Sequence, residues 1–280
     1  MFGVAIPELR RVFASDTKNI QRLEPFIRRV LVVDPNPGSA RLLGELLKGL
    51  GARQLAFEPE ERRALEMAND LDPGVIFVER GGPRLDGESF TKRLRRSNFN
   101  CRRAPVIMVT SDATATSIKG ARDSGVHEFL RKPFTVGDLV KRIEVCVLRQ
   151  RDWIEAVQYV GPDRRRFNSG EYQGPRKRRA DGGAGETGKA AVLADAMDRC
   201  LRILRSAVGH YESDPNQALR AITEQTQQLK KMASAKGEAK LAVAVAGLEL
   251  ALSGGSASRE LLANAIAEVI DAFGGIKDAA

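Results

Sequence analysis

The stretch Gly74-Val-Ile-Phe-Val-Glu79, continued by Gly81-Gly82-Pro83 and Asp86-Gly87, decides how this chain is read. Four consecutive apolar residues between turn signals describe a short, fully buried strand. The run ends in a single carboxylate, and the glycines, the proline and Asp86-Gly87 then form a loop and a turn before a helix.

Working outward, the same alternation repeats. Arg29-Val-Leu-Val-Val33 is a strand, followed by a helix over Gly38 to Leu50 with Leu42, Leu43, Leu46 and Leu47 on one face and Gly51 as its stop. Gln54 to Phe57 is a weaker strand, and Pro59 to Asn69 a helix with the proline at its first position. A helix over Glu88 to Arg95, the strand Pro105 to Thr110 and a helix over Ala113 to Asp123 come next. The strand Glu128 to Leu130 runs into Lys132-Pro133, and a last helix starts near Val136 and is expected to reach about Val160. Strands separated by helical stretches imply βαβ units. The expected fold class is α/β, a flavodoxin-like, doubly wound five-stranded parallel sheet, followed by an all-α helical bundle. In such a sheet the working site lies at the carboxyl ends of the strands. Asp34, Glu79 and Thr110 fall there, and Lys132 follows the fifth strand.

Asp34, Glu79, Thr110 and the Lys132-Pro133 pair, in that order and spacing, resemble the receiver domain of bacterial two-component response regulators, over about Arg28 to Arg149. In that family the residue at position 79 is an aspartate that accepts a phosphoryl group from a partner histidine kinase. Here it is a glutamate, one methylene longer. The resemblance implies that Thr110 and Lys132 contact the phosphoryl group, that Phe129 is the aromatic switch, and that the Lys132–Pro133 peptide bond is cis. It also implies Mg²⁺ held by Asp34, Glu79 and the backbone at Gly81. Pro35 stands where a second acid is usual, so the metal is expected to bind weakly. Phosphoryl transfer depends on positioning, so the longer Glu79 side chain disfavours ordinary phosphoacceptance. Two readings of Glu79 stay open: a built-in partial mimic of the phosphorylated state, or a degraded site in which Glu79 merely pairs with Lys132.

Composition adds limits. The chain carries 45 basic and 36 acidic residues, a net +9, which permits anionic partners without requiring them. Its three cysteines form no CxxC pair, and with only two histidines no zinc site is expected; this fits a reducing, cytoplasmic setting. No apolar stretch is long enough to span a membrane, and no signal-peptide pattern opens the chain. Residues 1–27 are a lead-in segment with an amphipathic helix between Pro7 and Phe26, and 28–160 the receiver-like domain. Residues 161–189 are a basic flexible linker rich in Gly and Pro. Its clusters Arg164, Arg165, Arg166 and Arg176, Lys177, Arg178, Arg179 lie near Phe167 and Tyr172, a candidate site for nucleic acid or an anionic nucleotide. Residues 190–276 form a helical bundle, an interaction module open to self-association. Leu193, Met197, Cys200 or Leu201, Leu204 and Val208 open it, and Asp214-Pro215 starts its second helix. Leu241 to Leu252 is apolar nearly all round and is expected to be covered on several sides. His210 lacks the Lys and Gly that follow the histidine of phosphotransfer domains, which excludes that role. The expected function is a non-enzymatic signalling adaptor with reduced or no phosphoacceptance, meeting a kinase or downstream target. A working phosphoacceptor and a nucleic-acid or nucleotide binder are the alternatives.

Overall fold

Five apolar runs become the strands of one parallel sheet: β1 Arg29–Val33, β2 Gln54–Glu58, β3 Val75–Glu79, β6 Val106–Thr110 and β7 Glu128–Arg131, in the order β2-β1-β3-β6-β7. The computed structural model describes residues 17–112, 114–149, 151–164, 186–254 and 258–274. The helices of this part are α1 Thr17–Ile27, α2 Pro37–Gly49, α3 Glu61–Leu71, α4 Gly87–Arg96, α5 Ala115–Ser124 and α6 Val136–Leu148. Between β3 and α4 the chain makes a small ribbon of β4 Gly81–Gly82 and β5 Leu85–Asp86.

Strand side chains alternate between two cores, which is why helices are needed on both faces. Val30, Val32, Phe77, Ile107 and Val109 pack with Leu43 and Leu47 of α2 and Leu139 and Ile143 of α6. Leu31, Val33, Ile76, Val78 and Met108 pack with Ala64 of α3, Phe90 and Leu94 of α4 and Ala121 of α5. The expected α/β class and doubly wound order are therefore present. Local signals set the helix starts: Asn36 caps α2 ahead of Pro37, Asp86 caps α4, and Thr135 with Asp138 forms a capping box on α6. Helix α1 supplies Leu23 and Ile27 to the first core. The rest of the expected lead-in helix lies outside the described residues. Gly74 lets β3 start beneath α1, because a Cβ there would stand 2.1 Å from the Phe26 carbonyl oxygen.

Several elements differ from expectation. Helix α3 begins at Glu61 and not at Pro59, with Glu60 as its cap. Leu42 is 59% exposed, so α2 buries a narrower stripe than its four leucines suggested. Most notably, α6 ends at Leu148, and the expected extension to Val160 is replaced by β8 Trp153–Glu155 and β9 Val160–Pro162. The cause is a set of contacts distant in sequence. Glu128, buried on β7, pairs with Arg142 of α6 and also with Arg151, whose guanidinium donates to the His127 carbonyl as well. Trp153 then lies 5.3 Å from the guanidinium carbons of both Arg95 and Arg103. Arg95 itself is fully buried and donates to the carbonyls of Gly125, Arg102 and Ala104 at 3.0, 2.6 and 2.9 Å. Burial pulls its pKa down to about 9, so it stays charged at neutral pH.

The second compact unit contains the helices α7 Glu186–Gly209, α8 Pro215–Lys236, α9 Ala239–Ser253 and α10 Arg259–Phe273. Neighbouring pairs are α7 with α8, α8 with α9, α9 with α10 and α10 with α7, a closed four-helix arrangement. Met197, Leu201, Leu204, Ile222, Leu229, Leu241, Leu248, Leu262 and Ile266 form its core. Helix α9 is not covered on several sides: Leu241, Val245, Leu248 and Ala251 are buried while Val243 and Leu250 face solvent. Among the described residues no helix is long and apolar enough to cross a membrane.

Replacing Arg95 by Ala removes a fully buried donor from the carbonyls of Gly125, Arg102 and Ala104, and one of the cations beside Trp153. The receiver-like unit should lose about 3–5 kcal/mol of stability, measured by urea unfolding followed through Trp153, the single tryptophan of the chain.

Candidate functional site

The carboxyl ends of β1, β3, β6 and β7 deliver Asp34, Glu79, Thr110 and Lys132 to one end of the sheet. Parallel register accounts for this, since Val33 stands opposite Val78 and Glu79 opposite Val109. The Lys132 ammonium donates to Glu79 Oε2 at 2.5 Å and to Asp34 Oδ2 at 3.0 Å. The remaining oxygens are also engaged: Glu79 Oε1 accepts from the Arg80 N–H at 3.0 Å, and Asp34 Oδ1 from the Asn36 N–H at 2.8 Å. Each of the four carboxylate oxygens thus has a protein donor. The Lys132–Pro133 peptide bond is cis, as the resemblance implied.

Thr110 is buried, and its hydroxyl exchanges hydrogen bonds with Asp112, accepting from the Asp112 N–H at 3.1 Å and donating to its carbonyl at 3.2 Å. Phe129 is half-buried against the core shared by α3, α4 and α5. Sequence reasoning missed Arg80. Its guanidinium reaches Asp112 Oδ2 at 2.8 Å and Glu88 Oε1 at 3.4 Å, tying the loop after Thr110 to α4. Ser117 completes this cluster by donating to Asp112 Oδ2 at 2.5 Å. The bonds from Ser117 and from the Thr114 N–H, aided by Arg80, hold the Asp112 carboxyl below its ordinary range. No local pattern marks Arg80, because both of its carboxylate partners lie in other elements.

For Lys132, burial works against the charge, but hydrogen bonds and attraction from Glu79 and Asp34 outweigh it and raise the pKa. Lys132 therefore holds its proton more tightly in the folded chain than in the unfolded one.

The side chains at this end offer a divalent ion two carboxylate ligands, Asp34 and Glu79. Pro35 provides none, and its ring lies against the loop after β3: a Cβ on Gly82 would be 2.4 Å from Pro35 Cγ. Asp34 and Glu79 are already bonded to Lys132. Gly81, the implied backbone ligand, lies in the β4–β5 ribbon. Among the described residues no group of three His, Cys, Asp or Glu side chains is arranged to hold a metal. To bind here, Mg²⁺ would have to compete with Lys132 for both carboxylates.

Of the linker cations, Arg164 is ion-paired with Asp123 at 2.9 Å, and its guanidinium lies 3.8 Å from the centre of the Tyr159 ring. Arg165, Arg166, Arg176, Lys177, Arg178 and Arg179 lie outside the described residues.

Residues 30–144 match the response regulator receiver domain family. The similarity covers the sheet and its flanking helices. Among curated proteins the chain is similar to the transcriptional regulatory protein PdtaR of Mycobacterium tuberculosis, 28% identical over 125 residues, covering 45% of this chain and 59% of that one. It is also 32% identical over 120 residues to the KDP operon transcriptional regulatory protein KdpE of Escherichia coli, covering 43% of this chain and 51% of that one. The chain thus spans about half the length of these relatives. Among solved structures, the chemotaxis protein CheY4 of Vibrio cholerae is 23% identical and covers 42% of this chain and 97% of its own, with a TM-score of 0.40. The receiver domain of the sensor histidine kinase PA1611 from Pseudomonas aeruginosa, solved with a magnesium ion in its active site cleft, is 26% identical. It covers 42% of this chain and 94% of its own, with a TM-score of 0.39.

Two outcomes follow for the receiver-like unit. Lys132→Met leaves two adjacent carboxylates without their cation and should cost about 2–3 kcal/mol, below the range for fully buried pairs because Lys132 keeps some solvent contact. Because the folded pKa is the higher one, the lysine's contribution is complete below the ordinary value of 10.5 and is lost as pH rises past the folded value. Thermal melts of the parent in alkaline buffers should show this loss, and Lys132→Met should lack it. Separately, Arg80→Ala should speed amide hydrogen exchange over residues 111–118 at least severalfold while leaving the β1 and β3 amides protected.

Proposed function

We propose that this receiver domain acts as an adaptor in two-component signalling, with reduced or no phosphoacceptance, and delivers its signal by contact with other proteins. The observation that carries the reading is the bridge from Lys132 to both Glu79 and Asp34. In the family that this segment resembles, the acceptor aspartate must reach an incoming phosphoryl group in line, with a divalent ion beside it. Here the acceptor position carries a longer acid whose two oxygens are already hydrogen-bonded, and Pro35 occupies the place of a ligand. A phosphoryl donor would have to break the lysine pair and approach a carboxylate displaced by one methylene. Any Mg²⁺ binding is correspondingly weak. The partners proposed are a histidine kinase or a downstream target, docking on the face of α5 and β7, where Ile118 is 41% exposed. The helical unit is proposed as the interaction module. The linker reading has no comparable support, since the side chain described there, Arg164, is held by Asp123.

The test is the intact mass of the protein after incubation with Mg²⁺ and acetyl phosphate. The parent should take up no phosphate, and Pro35→Asp combined with Glu79→Asp should gain a single adduct. An adduct on the parent that Glu79→Ala abolishes would overturn the reading and restore a conventional phosphoacceptor.

A further inference from the structure

Helix α9 has two apolar sides, and the four-helix arrangement uses one. Leu241, Val245, Leu248 and Ala251 are buried, whereas Ala239, Val243, Ala246, Leu250 and Ser253 are all exposed on the opposite side. These exposed positions are spaced by four, three, four and three residues, the 3.5-residue repeat of a coiled-coil seam. Val243 and Leu250 are 73% and 74% exposed, more than any other large hydrophobic residue among those described. Between them Ala246 is small, and a Cβ on Gly247 would meet nothing within 4 Å. The four helices already neighbour one another in a closed ring, so the seam is not a gap left for one of them.

We propose that this seam is a self-association site, on which α9 of a second copy of the chain packs antiparallel. An isologous contact must be complementary to itself, and the order Val243, Ala246, Gly247, Leu250 is large, small, small, large in either direction. About a two-fold axis at the middle of α9, Val243 meets Leu250 of the second copy, and Ala246 and Gly247 allow close approach between them. Charge agrees with this occupant. No seam residue is charged, and the neighbouring Glu249 is neutralised by Lys230 of α8 at 2.7 Å. Two copies therefore meet without like-charge repulsion, while an acidic or basic partner finds no free counter-charge on the seam. Area sets the strength. A helix of 15 residues is about 22 Å long, too little to bury the ~800 Å² per partner of a standard interface. The dimer is accordingly weak and depends on concentration.

Sedimentation of the full chain between about 1 and 500 µM should show the mean mass rising from one chain toward two. Val243→Glu and Leu250→Glu should each weaken association at least tenfold while leaving helix content and unfolding midpoint unchanged, since both side chains face solvent. A mixture of Val243→Cys and Leu250→Cys chains, oxidised together, should give the mixed covalent dimer, and neither variant alone should cross-link; the native cysteines are buried. A parent chain that stays monomeric throughout, or association untouched by both glutamates, overturns the proposal. Cross-linking of each variant with itself overturns the antiparallel pairing.

Discussion

Two carboxylates at neighbouring strand ends repel each other, and at this end of the sheet the Lys132 ammonium offsets that repulsion by bonding both of them. The three groups come from β1, β3 and β7, so the bridge joins strands that are far apart in the chain. The lysine engages one oxygen of each acid, and backbone N–H groups engage the other two. One contact thereby engages both acids and ties three strand ends together.

Around this bridge lies a second layer of restraint. Arg80 follows Glu79 directly and holds both Asp112 and Glu88, so the loop after Thr110 is tied to α4 by charge. Thr110 spends its hydroxyl on Asp112 within that loop. Pro35 and Gly82 close against each other on the other side. These contacts share one physical character: the polar groups at this end of the sheet serve one another.

At the other end of the sheet, buried charge adds structure. Glu128 gathers Arg142 and Arg151, and Arg95 gathers three carbonyls beside Trp153. A buried ion is costly unless its hydrogen-bonding capacity is filled, and filling it here stops α6 at Leu148 and adds β8 and β9. Arg164 follows the same logic with Asp123 and Tyr159, which places it in the first compact unit.

The sequence by itself determined the five strands, their order and the residues at their carboxyl ends, because apolar period and turn residues are local signals and the parallel crossover leaves few topologies. It also marked position 79 as unusual, since one residue type is enough to show a longer side chain. Only tertiary structure decided what Glu79 does, because its partners Lys132 and Asp34 are separated from it by 53 and 45 positions (132 − 79 and 79 − 34). The end of α6 and the role of Arg80 were hidden for the same reason: helix period says nothing about a carboxylate on another element. The open side of α9 was hidden for a different one. A helix apolar all round carries no direction in its sequence, and only the packing of its neighbours shows which side is left to water.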